Sequence, residues 1–303
     1  MLGRPVVDPA GSPHSGEELK MKRKIGLFLG GILALGLVIG ISLPSILGSL
    51  GLHPAWEGET HQLPGKRALI VTTSHGILNA PGETEGPATG VAASELTHPY
   101  YDFLAAGMDV DVASIEGGPI PIDPQTLRFP TASPEDKRSL EDPVFRVKVE
   151  RSLPIADVDF TDYDAIFLAG GWGAAYDLGT SDILAEKITE AYYANRAILG
   201  GVCHGPLGFI RAKDREGNLL ITGRRMTGVT DKQVKELGIE ITPLHPETEL
   251  RRAGVQFESE TAFQDVFATH VVVDEEERFV TGQNQNSGHE TAHTMMKILA
   301  ERS

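Results

Sequence analysis

The chain of 303 residues contains one cysteine, Cys203. That excludes an intrachain disulfide framework and any multi-cysteine metal site. A basic surplus is also missing, because the formal net charge is -15. Residues 1–24 carry +2 (Arg4, Lys20, Lys22, Arg23 and Lys24 against Asp8, Glu17 and Glu18), so the rest holds -15 minus +2, or -17. An acidic body of this kind has no electrostatic footprint for nucleic acid, and no such partner is expected. There is no internal repeat, and no charge interrupts residues 25–43.

Residues 1–24 read as a disordered tail, polar and rich in Gly and Pro over the first 19 positions. Lys20-Met21-Lys22-Arg23-Lys24 then meets the apolar run, which continues past Pro44 to Leu52. At about 1.5 Å per residue this is long enough to span a hydrocarbon core of about 30 Å. The other reading is a cleaved signal peptide. Its apolar region is usually only about 7–15 residues long, and Ser45-Ile46-Leu47-Gly48-Ser49 is a weak cleavage match. The sequence therefore predicts a retained single-pass membrane anchor over 25–52. The basic cluster precedes the span, which places the N-terminus in the cytoplasm and the following domain on the extracytoplasmic side. Residues 53–65 read as a linker and 66–303 as one domain.

Within that domain, short apolar runs at 68–73, 110–115, 163–169 and 197–202 read as strands. Helical patterns at 91–106, 181–195, 231–237, 247–253 and 290–301 alternate with them. Residues 224–229 are a further candidate strand, and 270–274 with 279–281 look like a strand pair. Residues 123–157, punctuated by Pro124, Pro130, Pro134, Pro143 and Pro154, read as a surface excursion with one short helix. Continuously apolar strands alternating with helices predict an α/β domain, a mostly parallel sheet covered on both faces.

The chemistry centres on Gly201-Val202-Cys203-His204-Gly205-Pro206. A lone cysteine is usually a small buried hydrophobe. Here Gly-x-Cys-x-Gly ends a strand and precedes a helix-like segment from Pro206, which is the pattern of a nucleophile elbow. A helix there would favour the thiolate through its dipole. His204 is adjacent but need not touch the sulfur, and a structural role for it stands beside a chemical one. Gly170-Gly171-Trp172-Gly173 leaves another strand end and either exposes N–H groups to a developing oxyanion or is an ordinary Gly-rich turn. Glu95 lies in the 91–106 helix among Ala92, Ala93, Leu96 and Pro99. A helical Glu is normally solvated, but these neighbours allow a partly buried carboxyl with a raised pKa.

Together these residues resemble the DJ-1/PfpI superfamily (class I glutamine amidotransferase-like), and within it the Hsp31-like, glyoxalase III branch. The resemblance is carried by Thr89-Gly90-Val91 with Ser94-Glu95-Leu96-Thr97-His98-Pro99-Tyr100, and by Ala113-Ser114-Ile115-Glu116-Gly117-Gly118 with Pro121-Ile122-Asp123-Pro124. Gly170-Gly171-Trp172-Gly173 with Asp177-Leu178, the elbow, and Val272-Val273-Asp274 with Thr281-Gly282-Gln283-Asn284 complete it. It implies a flavodoxin-like, doubly wound fold and a homodimer. It casts Cys203 as nucleophile, Glu95 as the carboxyl beside its sulfur and His204 as the residue after the nucleophile. Gly171, Trp172 and His204 would line the oxyanion site and pocket. Glu247 matches the acid that orients the histidine in some members, and reads equally as a helix-start acid. Trp172 stands where many relatives have His, and Gln285 replaces a common Pro. The membrane anchor is atypical for the family.

The activity implied is that of a lyase, a glutathione-independent glyoxalase acting on methylglyoxal or a related small 2-oxoaldehyde, with no metal or organic cofactor required. Two alternatives stand beside it. One is a glutamine amidotransferase-like or protease/deglycase hydrolase, suggested by His245-Pro246-Glu247. That motif comes too soon after Cys203 for a Cys-His-Glu triad, and no ammonia-accepting domain succeeds it. The other is a non-enzymatic Hsp31-like chaperone or redox sensor.

Overall fold

The structure is a computed structural model that describes residues 14–302. Of the tail expected over 1–24, residues 1–13 lie outside the described residues. From His14 the chain is already helical, and α1 runs over His14–Ser49. The tail reading fails from that point because Glu, Leu, Lys, Met and Arg, which fill 17–24, are among the best helix formers. Between Lys20 and Ser49 the helix has 30 residues, about 45 Å at 1.5 Å per residue. It is long and apolar enough to cross a membrane, and a signal sequence would pass the same test.

The chain from Gly48 onward forms a separate compact unit. It opens with β1 (Arg67–Thr72), α2 (Ala93–Ala105) and β2 (Asp109–Ser114). Two short helices come next, α3 (Pro134–Glu141) and α4 (Pro143–Glu150), then β3 (Leu153–Pro154) and β4 (Ala165–Leu168). After these lie α5 (Ala174–Asp177), α6 (Asp182–Ala194) and β5 (Ile198–Val202). The polypeptide then makes a small outlying part with β6 (Arg225–Met226), α7 (Asp231–Glu236), α8 (Pro246–Arg252) and β7 (Gln256–Phe257). It closes with β8 (Val271–Val273), β9 (Phe279–Gly282) and α9 (Gly288–Glu301).

The main sheet has the order β3-β2-β1-β4-β5-β9-β8. Its pairings are parallel except β8 with β9. The five central strands follow the 2-1-3-4-5 order of a doubly wound sheet, which places its switch point between β1 and β4. Successive residues of one strand face opposite sides. Ile70 and Phe167 therefore join Leu96, Phe103 and Met295 in one core layer under α2 and α9. Leu69, Ile166 and Leu199 face Leu184, Ile188 and Phe209 in the other, under α6. Burial on both faces is why these strands read as continuous apolar runs.

Three further departures from the sequence reading concern residues 123–157, 224–229 and 53–65. The 123–157 excursion holds two helices rather than one. Pro134 and Pro143, read as interruptions, sit at the first helical turns of α3 and α4, where a missing N–H costs nothing. Ser133 and Asp136 form a reciprocal capping box, with Ser133 N donating to Asp136 Oδ2 at 2.8 Å and Asp136 N to Ser133 Oγ at 3.0 Å. The candidate strand at 224–229 shortens to two residues, which pair with β7 in a separate two-stranded sheet. Residues 53–65, read as linker, lie on the domain. His53 N donates to Asn286 Oδ1 at 2.8 Å, Trp56 stacks on His293 at 4.7 Å, and Leu63 is buried.

Ser133→Ala removes one half of the capping box. It is expected to lower the unfolding free energy by about 1 kcal/mol in urea denaturation, without changing the slope of the transition.

Candidate active site

Cys203 follows β5 and takes φ 58, the left-handed region that non-glycine residues rarely occupy. Such a residue costs about 1–3 kcal/mol and persists only where its surroundings hold it. They do so here through two backbone bonds. Cys203 N donates to Gly282 O at 3.1 Å, and Cys203 O accepts from Val229 N at 3.0 Å. Close approach of the elbow to β4 requires Gly205, because a Cβ there would fall 2.0 Å from Leu168 O.

The sequence placed a helix after the elbow. The chain instead makes a five-residue 3-10 turn, Gly205–Phe209, held by short-range bonds such as Leu207 N to His204 O at 3.1 Å. A turn this short contributes little dipole. The expected stabilisation of the thiolate is therefore overturned. Burial drives the Cys203 thiol well above its ordinary value, and the neighbouring Glu95 charge and hydrogen bond push the same way.

Glu95 stands in the first turn of α2 and is fully buried, so it is not the solvated face residue that a helical Glu usually is. Its carboxyl hydrogen-bonds Cys203 and accepts from Gly170 N at 2.9 Å through Oε2. A Cβ at Gly170 would lie 2.5 Å from that oxygen, so the glycine is required by the approach of the carboxyl. Burial raises the Glu95 pKa to about 8, against the opposing pull of the bonds to Cys203 and Gly170. Two neighbouring acids raised together leave the resting site electrically neutral at pH 7.

The backbone N–H groups of Gly171 and His204 reach the sulfur and pull its pKa down, against the larger effect of burial. The N–H of Cys203 is committed to Gly282 O, so the elbow offers the His204 amide rather than that of Cys203. His204 does touch the sulfur: its Nδ1 lies 3.3 Å from Cys203 Sγ. Burial, helped by His245, lowers its pKa to about 3, so the ring is neutral at physiological pH. Trp172 leans on that ring with centroids 5.0 Å apart. His204 Nε2 is buried and has no hydrogen-bond partner among the described residues.

Glu247 is not brought to His204. Its Oε2 accepts from Asp231 N at 2.9 Å, and its Oε1 accepts from Arg251 Nε and Nη2 at 3.1 and 2.9 Å. Sitting in the first turn of α8 with Arg251 one turn later, it is satisfied as a helix-start acid.

Two further residues near the site were named in the sequence only as parts of motifs. His245 approaches His204 only through the fold of the outlying part, and no local pattern signals that. Asp177 was legible only as a motif position. Its Oδ2 accepts from Thr73 Oγ1, Ser74 N and His75 N at 2.9, 2.8 and 3.2 Å, pinning the turn after β1 to the loop after β4. Burial raises its pKa to about 6.

Fold and site together define an α/β protein with a nucleophile-elbow cysteine at the carboxyl end of a doubly wound sheet, paired with a buried glutamate. The chain belongs to the DJ-1/PfpI family, whose model matches residues 87–298. Glyoxalase 3 of Candida albicans is 30% identical over 176 residues, 57% of this chain and 72% of that protein. The glutathione-independent glyoxalase HSP31 of Saccharomyces cerevisiae is 30% identical over 178 residues, 58% and 73% of the two chains. The crystal structure of glyoxalase III from Candida albicans superimposes with a TM-score of 0.65 at 25% identity, covering 77% of this chain and 96% of that one.

Replacing Glu95 by Gln removes both the charge and the acceptor that raise the Cys203 pKa. The pH at which iodoacetamide alkylates Cys203 is expected to fall by at least one unit in Glu95→Gln, about 1.4 kcal/mol of differential interaction. An unchanged or higher onset would contradict the coupling.

Proposed function

We propose that the protein is a glutathione-independent glyoxalase, a lyase converting methylglyoxal or a related small 2-oxoaldehyde to the 2-hydroxy acid. The observation that carries this reading is the hydrogen-bonded, fully buried pair of Glu95 and Cys203. The names of the relatives support it.

In the first step Cys203 Sγ adds to the aldehyde carbon, its proton passing by way of Glu95 to the aldehyde oxygen, and a hemithioacetal forms. With the thiol consumed, Glu95 releases its proton to solvent, and its carboxylate takes the proton from that carbon to give an enediol and returns it to the neighbouring carbon, while the hydroxyl proton passes to the neighbouring oxygen. The product is a 2-hydroxyacyl thioester on Cys203. Water cleaves it, releasing the acid and restoring the thiol. A carboxyl with its pKa near 8 suits this work, since both of its forms lie close in energy near neutral pH. The Gly171 and His204 amides, which reach the sulfur, would hold the developing oxyanion, and Trp172 beside the His204 ring would give the site an apolar wall.

The hydrolase alternative is less well supported. A Cys-His-acid triad needs an acid behind its histidine, and Glu247 is occupied by Arg251 and Asp231. For the N-terminal helix we infer a retained single span, with the domain on the extracytoplasmic side and the catalytic unit a homodimer. Burial of Cys203 among apolar neighbours would limit its oxidation in that compartment.

Purified full-length protein is expected to form lactate from methylglyoxal without added glutathione. Cys203→Ala should abolish the activity, and Glu95→Gln should lower kcat about 10²–10⁴-fold. Lactate formation that survived Cys203→Ala would sink the reading. Glutaminase activity would favour the hydrolase alternative, and Cys203-independent suppression of client aggregation would favour the chaperone.

A further inference from the structure

One helical turn beyond Glu95 on α2 lies a second cluster of titratable groups that the proposed chemistry does not use. It gathers His98 from α2, Glu135 from α3 and His289 from α9. One ligand atom from each lies within 4.8 Å of the others. His98 is completely buried, yet neither of its ring nitrogens has a hydrogen-bond partner among the described residues. Its Nε2 faces Glu135 Oε2 at 3.7 Å, and its ring stacks on that of His289 with centroids 4.0 Å apart. An imidazole so enclosed has a lone pair with nothing to accept and an N–H with nothing to give it to.

His289 is held in a particular way. Its Nδ1 lies 2.7 Å from Asp102 Oδ2. A carboxylate only accepts, so Nδ1 carries a proton, and in the neutral ring Nε2 keeps the lone pair. A carboxylate that orients a histidine and fixes its tautomer is the usual support behind a metal ligand. His53 forms another wall, its ring edge-on to His98 at 5.3 Å and its Nε2 donating to Thr131 O at 2.6 Å.

We propose that His98, Glu135 and His289 bind one divalent first-row transition ion, with Asp102 as the carboxylate behind His289. Two imidazoles and one carboxylate are a donor set suited to zinc and its neighbours rather than to calcium or magnesium. Zinc takes such ligands at about 2.0–2.2 Å, which puts tetrahedral donors about 3.4 Å apart. Closing from the present spacing needs the partly exposed Glu135 side chain to swing inward and the His98 ring to tilt out of its stack on His289, so that the two lone pairs converge. The fourth position falls to water entering beside Glu135. The ion would tie α2, α3 and α9 together one turn from Glu95, and so fix the helix that carries the buried carboxyl. This site is independent of the glyoxalase reading. No spacing in the sequence reports it, because the three ligands lie on three separate helices.

The test uses the full-length protein in detergent micelles, stripped with a chelator and titrated with Co²⁺ and then Zn²⁺. Wild type is expected to take one equivalent of Co²⁺ with a visible absorption band, which Zn²⁺ abolishes. Glu135→Gln and His289→Gln should each weaken binding at least tenfold, and Asp102→Asn about 10–100-fold. Glu135 is partly exposed, so its variant tests the site even if His289→Gln folds poorly, and far-UV circular dichroism reports the folding of each. Cys203→Ala should keep the full band. Failure to take up Co²⁺ would overturn the proposal. So would undiminished uptake in both Glu135→Gln and His289→Gln, or loss of the band in Cys203→Ala, which would place the ion at the elbow.

Discussion

The site depends on one constraint: two acids, Glu95 and Cys203, are enclosed together where water cannot solvate either charge. In such surroundings a second negative charge is far costlier than the first. The pair therefore holds its protons at neutral pH and releases them only to something that brings its own compensation. The surrounding backbone is arranged to that end. Gly170 N–H is spent on the carboxyl, the Gly171 and His204 amides are aimed at the sulfur, and Cys203 N–H is anchored to β9. These donors come from the ends of β4 and β5, so the site exists only when β4, β5 and β9 are in register.

That constraint also separates the two parts played by His204. An imidazole whose pKa has fallen to about 3 cannot serve as the resting counter-ion of a thiolate, as it does in hydrolases built on a Cys–His ion pair. It contacts the sulfur as a neutral ring, and no carboxylate among the described residues stands behind it to stabilise an imidazolium. On the proposed mechanism, proton traffic falls instead to Glu95. The chemistry best matched to a neutral thiol beside a neutral carboxyl is addition to an electrophilic carbonyl, because the oxygen that gains charge can be protonated in the same step.

The sheet was legible because its strands are buried on both faces, and continuous apolar runs survive any detail of packing. The elbow was legible because the glycines at 201 and 205 flank the cysteine in sequence, although the steric demand they answer comes from Leu168 on β4. The features that escaped were set by distance or by dual meaning. Pro134 and Pro143 signal either a break or a helix start, and only the Ser133–Asp136 box decides between them. The helix expected after Pro206 gave way to a 3-10 turn, since packing against β4 governs that segment more than its own propensity does. Burial of Glu95 could be suspected from Ala92, Ala93 and Leu96, but its pairing with Gly170 needed the crossing of two loops.

Glu247 illustrates how a motif can mislead when its partners are read by order alone. The same Glu that aligns with an acid behind a catalytic histidine has a local partner, Arg251, one helical turn away, and a backbone amide at Asp231. Local partners win because they require no loop closure and are satisfied as α8 forms. His98 presents the opposite case. It lies in a helix with no polar neighbour able to satisfy it, and its surroundings are completed only when α3 and α9 arrive. A buried group that finds no partner within its own element takes its role from tertiary structure, and such groups are where sequence reading loses sight of function.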